Sequence, residues 1–426
     1  MWFRSFSFNV NAERTQTFLQ VVFRSLPSCL QLSMSLWLVL GAVGRHTQIL
    51  PPSIPNGCRL LEWLIPGNLQ ERYFKSSTTL QMKIYLKDPA VALATKGYHV
   101  LLEKPMAVST EDCTEIVETC IQSGVMLTVC HVLRYDPVIR KIKELIDSGV
   151  IGEVIHIQHL EPVGFYHFAH SFVRGNWRNE AESSFALLAK CCHDIDLIHH
   201  WAGGRRCLKA SSFGSLSHFR KECKPPGAGD RCLHCPVEGD CSYSARKIYL
   251  DRVKQGHTGW PVSVICPSSL PDIESVTDAL KTGPYGRCVY ECDNDVCTNQ
   301  VVNMEFDGGL TASFSMVAFT EEICQRRTTI YGSKGELSYN GNEIRVFDFL
   351  TQRATKHKSN VPGHFGMGGH SGADYHLVDA FISAVASGDA SLIRSGPRET
   401  LRSHKLVFEA ERARLESKVV FCETDP

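Results

Sequence analysis

Two short apolar runs, each set between amphipathic helical stretches, leave residues 87–149 few ways to fold. KDPAVALAT (87–95) predicts a helix, with Pro89 in its first turn and Gly97 just past its end. Val100-Leu101-Leu102 then reads as a buried strand. Ser109-Thr110-Glu111-Asp112 opens a second helix in capping-box style. Cys113, Ile116, Val117, Cys120 and Ile121 fall on one face of it, and Gly124 ends it. VMLTVCHVL (125–133) is the next buried strand. Asp136-Pro137 starts a third helix with Val138, Ile139, Ile142, Leu145 and Ile146 on one face, up to Gly149. Runs that are apolar throughout are buried on both faces, and helices alternating with them place them in a doubly wound, Rossmann-like α/β sheet.

The pattern changes after about residue 150. EVIHIQHL (153–160) reads as a strand and HDIDLIHHWAGG (193–204) as a helix ended by glycines. VVNMEF, Asp307-Gly308-Gly309 and LTASFSM form a hairpin pattern, which 328–347 continues as a meander. Helical segments at about 373–387 and 397–415 close the chain. These elements predict a second, α+β domain built on an open antiparallel sheet. The expected division is 1–86, 87–150 and 151–426. Residues 1–86 show no sustained period, and LPPSIPNG (50–57) reads as a loop or linker.

Lys plus Arg and Asp plus Glu number 45 each among 426 residues, so no global field favours nucleic acid or an anionic membrane. A small molecule or a protein partner is the default. SLWLVLGAVG (35–44) is too short to span a bilayer. Cys113, Cys120 and Cys130 sit in apolar patterns, where a free thiol packs as a small hydrophobe. A reducing compartment, the cytoplasm, is therefore expected. The Arg-rich, acid-poor stretch 1–49 leaves a mitochondrial presequence as the alternative.

The strand at 100–102 ends in Glu103-Lys104-Pro105, and strand ends are where ligands bind in doubly wound sheets. A lysine there can hold a substrate hydroxyl and stabilise negative charge on its oxygen. A surface Glu-Lys pair would read the same way.

GYHVLLEKPMA (97–107) resembles the signature of the Gfo/Idh/MocA family of NAD(P)-dependent oxidoreductases. The likeness continues through Arg134-Tyr135-Asp136-Pro137, Gly149-Val150-Ile151-Gly152-Glu153, His193-Asp194-Ile195-Asp196, GPYGRCVYECDNDV (283–296), GSKGEL (332–337) and GGHSGADY (368–375). It covers roughly residues 87–420. The resemblance implies a nucleotide-binding domain, then a substrate domain whose open sheet often makes a dimer. It places Glu103, Lys104, Pro105 and Arg134 at an NAD or NADP site, with Lys104 acting on the hydroxyl that loses hydride. His193 points into the same site, and an imidazole suits proton transfer near neutrality; a satisfied helix histidine is the competing reading. Many relatives carry an Asp four residues before that histidine. This chain has Ala189 there, followed by Lys190, a substitute polar contact. HFAHSFVRGNWR (167–178) resembles a substrate loop, in which His170, Arg174 and Trp177 could grip a hydroxylated or acidic ligand.

A dinucleotide pyrophosphate usually rests on Gly-x-Gly-x-x-Gly after the first strand. Residues 10–25 contain no glycine. LWLVLGAVGRH (36–46) offers Gly41 and Gly44, but Val43 stands where the second glycine should be, and Glu62 follows at roughly the spacing of a ribose-binding acid. This reads as a chance match. The expectation is that residues 1–86 replace the front of the nucleotide-binding domain, leave an unpaired sheet edge and weaken dinucleotide binding. The functional readings are thus an oxidoreductase acting on a sugar- or polyol-like hydroxyl, a non-catalytic relic on the same fold, or cofactor-assisted sugar chemistry without net redox.

Finally, CKPPGAGDRCLHCPVEGDC (223–241) gathers Cys223, Cys232, Cys235 and Cys241 in a Gly/Pro-rich loop. The Cys232-x-x-Cys235 spacing suits structural zinc, with Cys288 and Cys292 as other ligands. Free thiols or a disulfide fit the same loop.

Overall fold

The computed structural model describes residues 86–266, 270–358 and 372–422, and the backbone of a strand at 37–40. Gly41, Gly44, Glu62 and the loop expected at 50–57 lie outside the described residues.

The predicted alternation is present. Strand β1 (Trp37–Leu40) is followed by helix α1 (Lys87–Thr95), β2 (His99–Leu102), α2 (Thr110–Gln122), β3 (Leu127–Val129) and α3 (Pro137–Asp147). The three strands form a parallel sheet in the order β1-β2-β3. The edge of β2 expected to be unpaired is therefore occupied, by residues 37–40. Local chemistry sets the boundaries. Ser109 Oγ accepts the Asp112 N–H at 3.1 Å, and Asp136 Oδ1 accepts those of Val138 and Ile139 at 2.8 and 3.1 Å. Gly97 and Gly124 leave their helices at φ +83° and +65°, a conformation that costs glycine little. The strand expected over 125–133 is shorter: after Val129 the chain tightens into a 3-10 turn, Val132–Tyr135.

Chain 151–422 builds a nine-stranded sheet. Its strands are β4 (Val154–Pro162), β5 (Cys207–Ser215), β6 (Asn299–Phe306), β7 (Thr311–Val317), β8 (Arg327–Gly332), β9 (Gly335–Tyr339), β10 (Glu343–Asp348), β11 (Arg353–Lys358) and β12 (Val420–Phe421). Their order is β11-β10-β9-β8-β4-β7-β6-β5-β12. The sheet is mixed rather than antiparallel throughout. The hairpin β6–β7 brings β7 alongside β4 in the same direction, so that one pair is parallel. One face carries the core, under helix α4 (Cys192–Trp201) and helices α6 (Ala373–Ser387) and α7 (Pro397–Glu416). Helix α5 (Ile273–Thr282) follows the cysteine loop.

Helix α7 ties the two sheets together. Its Leu401 joins the small core of α1, α2, β2 and β3, while Leu406, Val407, Ala410 and Ala413 join the large one. Beneath it lies a buried ion pair. Arg134 Nε and Nη2 reach Asp196 Oδ2 and Oδ1 at 2.6 and 2.8 Å, and Ser403 Oγ donates to Asp196 Oδ1 at 2.7 Å. Burial alone would raise the Asp196 carboxyl, but the guanidinium overrides it and holds the group well below the ordinary 3.8. The pair thus contributes stability above that value and loses it as the pH falls further.

Removing one partner strands the other charge in the core, which costs about 3–5 kcal/mol. Arg134→Met should therefore lower the urea midpoint sharply. Arg134→Met combined with Asp196→Leu should recover part of the loss, whereas two additive losses would show that the charges do not interact.

Candidate functional site

The turn after β2 carries Glu103, Lys104 and Pro105 and is fixed from behind. The Met106 N–H donates to His404 Nε2 of α7 at 3.0 Å, and His404 Nδ1 lies 2.8 Å from the Thr400 carbonyl. Lys104 Nζ donates to the carbonyl of Ala189 at 3.1 Å. Ala189 ends a short helical turn, Ala186–Ala189, four residues before His193, so the backbone of the departing position is what receives the lysine. His193 lies in the first turn of α4. Its ring meets His131 edge-on at 5.5 Å, and His131 meets His404 at 5.3 Å.

Sequence reasoning passed over His131. It directly follows β3, is 1% exposed, and neither ring nitrogen has a hydrogen-bond partner. Burial pushes it down to about 3, so the ring is neutral. An orphaned imidazole beside the Glu-Lys-Pro turn fits a polar group entering at the carboxyl end of the parallel strands.

On the other wall, inward positions of β4 carry His159 and Glu161. His159 Nε2 and Arg326 Nε reach Asp194 Oδ1 at 3.0 and 2.7 Å. Glu161 lies between Arg326 and Lys190, each 3.3 Å away. Burial works against the charge on Lys190, but Glu161 more than compensates and keeps it an ammonium. Lys190 Nζ also donates to Cys324 Sγ at 3.0 Å, and that sulfur lies 3.5 Å from His167 Nδ1. Burial, then the Lys190 charge, drives His167 down to about 2.

The substrate-loop residues separate. His170 is buried, with Nδ1 2.9 Å from the Tyr249 hydroxyl and its ring on Tyr285 and Trp260. Arg174 turns away to the cysteine loop, where it donates to the carbonyls of Arg287 and Tyr243 at 2.8 Å each. Trp177 packs against the large core. His167, not singled out from sequence, is the loop residue that joins Lys190. Arg134, expected at the cofactor, is committed to Asp196, to the Arg394 carbonyl at 2.8 Å and to Glu399 at 3.1 Å. It positions the site from within the core. The zinc expectation for Cys223, Cys232, Cys235 and Cys241 is not supported: among the described residues no three His, Cys, Asp or Glu side chains meet closely enough to hold a metal ion.

A parallel sheet ending in Glu-Lys-Pro, set against a large mixed sheet, defines the class as a two-sheet fold with a Rossmann-type half. Residues 86–131 match the family model described as "Oxidoreductase family, NAD-binding Rossmann fold", and residues 139–232 match the GFO/IDH/MocA C-terminal domain. Over these two stretches the chain is similar to the Gfo/Idh/MocA oxidoreductase family. Among curated relatives, oxidoreductase YteT of Bacillus subtilis (strain 168) is 26% identical over 295 residues, covering 66% of this chain and 65% of the relative. A 2,7-anhydro-N-acetylneuraminate hydratase of Mediterraneibacter gnavus is 31% identical over 132 residues, covering 31% of this chain and 34% of that protein. The chain thus spans under two thirds of these relatives. In fold it is similar to an NAD-binding oxidoreductase from Klebsiella pneumoniae, at TM-score 0.56 and 15% identity, covering 80% of this chain and 78% of that one. It is also similar to levoglucosan dehydrogenase in complex with NADH and levoglucosan, at TM-score 0.55 and 13% identity, with the same coverage of each chain. No described helix is long and apolar enough to cross a membrane.

The buried histidines set the acid response. His131, His167 and His170 are held at about 3, 2 and 3, against 6.5 when unfolded. Their depressed values stabilise the fold fully above 6.5, and that contribution is lost as the pH falls toward the folded values. Thermal stability should decline from pH 7 to pH 4, and His167→Gln should flatten the slope. An unchanged slope would place His167 in water.

Proposed function

We propose that this chain is a nicotinamide-dependent oxidoreductase acting on a hydroxyl of a sugar- or polyol-like small molecule, with weakened cofactor affinity. The observation that carries this reading is the Lys104 ammonium bonded to the Ala189 carbonyl, beside the helix that presents His193. In this reading Lys104 holds the substrate oxygen and stabilises charge developing on it. His193 takes the hydroxyl proton as the adjacent carbon gives up hydride. Lys190, fixed by Glu161, contacts a second polar group of the substrate, and His170 lines the wall. Glu103, Lys104 and Pro105 would hold the nicotinamide end of NAD or NADP, with His131 as a further partner, and the cofactor would supply the hydride-accepting chemistry.

The weakness follows from sequence: residues 1–86 contain no Gly-x-Gly-x-x-Gly, so we assign them as a replacement for the front of the nucleotide-binding domain, with 87–150 as its remainder and 151–426 as the substrate and oligomerisation domain. The same absence favours a second reading, a non-catalytic relic. Chemistry without net redox is a third, favoured by the likeness to a protein named as a hydratase.

Calorimetric titration with NADH and NADPH separates these readings. Binding weaker than micromolar, lost in Lys104→Ala, and slow oxidation of a polyol panel are expected. No binding by the folded chain would leave the relic reading, whereas tight binding would remove the claim of weakness.

We also propose that the open sheet face pairs with a second copy of the chain. Phe213 and Val301 are register partners on β5 and β6 and are 65% and 41% exposed; Tyr331 on β8 and Ile155 on β4 add apolar area. Phe213→Asp with Val301→Arg should convert a dimer into a monomer in light scattering. A wild-type monomer would refute the pairing.

A further inference from the structure

The proposed hydride chemistry leaves the cysteine loop unused. Four thiols, those of Cys232, Cys235, Cys241 and Cys288, line one cavity of about 110 Å³. That is far above the roughly 10–15 Å³ that one water needs. Arg174 lines it too. Its side chain is 1% exposed, Nη2 donates to Cys232 Sγ at 3.4 Å, and Nη1 has no hydrogen-bond partner. The Gly229 N–H donates to Cys235 Sγ, also at 3.4 Å. A buried guanidinium and a backbone N–H thus both point at sulfur in this cavity.

These thiols do not converge on a point. Zinc draws four sulfurs to about 2.3 Å from one centre, and no three candidate ligands among the described residues do that. Four thiols spaced around a void are instead the ligand set of a polynuclear core, in which each sulfur binds a different corner. We propose that this cavity is the site of a cysteine-ligated iron–sulfur cluster, with Cys232, Cys235, Cys241 and Cys288 as its ligands. Four thiolates bring four negative charges, which the iron and bridging sulfide of the core offset only in part. The buried Arg174 guanidinium supplies the missing positive charge and hydrogen-bonds to the cluster sulfur, one of the protein's means of tuning such a centre. The carboxylates bordering the cavity are Glu238 and Asp240, and Glu238 is taken up by the Ser244 hydroxyl. Cys223 does not line the cavity, so the fourth ligand comes from the distant Cys288.

The consequence reaches the candidate site. Arg174 ends the π-helical segment Ala169–Arg174, which carries His170. A cluster gripping Arg174 would fix the substrate-side wall without touching the nicotinamide side. The proposal therefore stands or falls independently of cofactor binding.

The test uses the full chain, purified anaerobically and incubated with ferrous iron, sulfide and a thiol reductant, then desalted. Equal amounts of retained iron and acid-labile sulfide are expected, with a visible charge-transfer absorption that bleaches on reduction. Cys235→Ser and Cys288→Ser should lose the sulfide, and Cys223→Ser should keep it, with circular dichroism checking that each variant folds. No retained sulfide in the wild-type chain would overturn the proposal. So would stoichiometric zinc without sulfide, or Cys288→Ser loading like the wild type.

Discussion

The Arg134–Asp196 pair is the contact on which the two halves of the molecule depend. Arg134 belongs to the turn that leaves the parallel sheet, Asp196 to the helix on the large sheet, and Ser403 to the helix that spans both. Two charges with side chains 1% exposed repay their desolvation only when the geometry is near ideal. Here the contact is bidentate, and further partners satisfy the remaining donors. That requirement fixes how the turn after β3 sits against α4 and α7.

The same helix is pinned from its other side. Asp194 binds His159 and Arg326, which belong to the large sheet and the segment leading into it. Residues two apart on a helix face different ways, so the two aspartates engage opposite walls. His193, immediately before Asp194, inherits its orientation from both. The aspartates of His193-Asp194-Ile195-Asp196 therefore act as clamps rather than proton carriers: each is held ionised by a guanidinium, and neither can take up a proton near neutrality.

Much of the fold could be read because its cores are segregated by period. β4 alternates buried and exposed positions, and α2 and α3 repeat at helical spacing, so both are visible in the residues. β11, RATKHK, is an edge strand with no buried residue, and nothing in its pattern marks it. The parallel β4–β7 pair escaped notice because register between distant strands leaves no local trace. For the site, Glu-Lys-Pro and His193 were legible as motifs. His159 and Glu161 carried a signal that went unused: polar residues at inward positions of a strand whose other inward residues are apolar. The zinc reading is not supported by the structure, because Cys-x-x-Cys spacing fixes two thiols in sequence but not how far apart a Gly/Pro-rich loop holds four.

A site assembled in this way is costly when empty. His131 is buried with neither ring nitrogen hydrogen-bonded, although Nδ1 lies 3.8 Å from Asp196 Oδ2, and an unmade hydrogen bond there costs about 1–3 kcal/mol. Lys104 Nζ donates to the Ala189 carbonyl. Such groups are tolerated because Arg134, Asp196 and His404 over-determine the surrounding backbone. A ligand that supplies their missing partners binds only the folded chain, so part of its affinity is the relief of that cost, and it stabilises the fold by linkage.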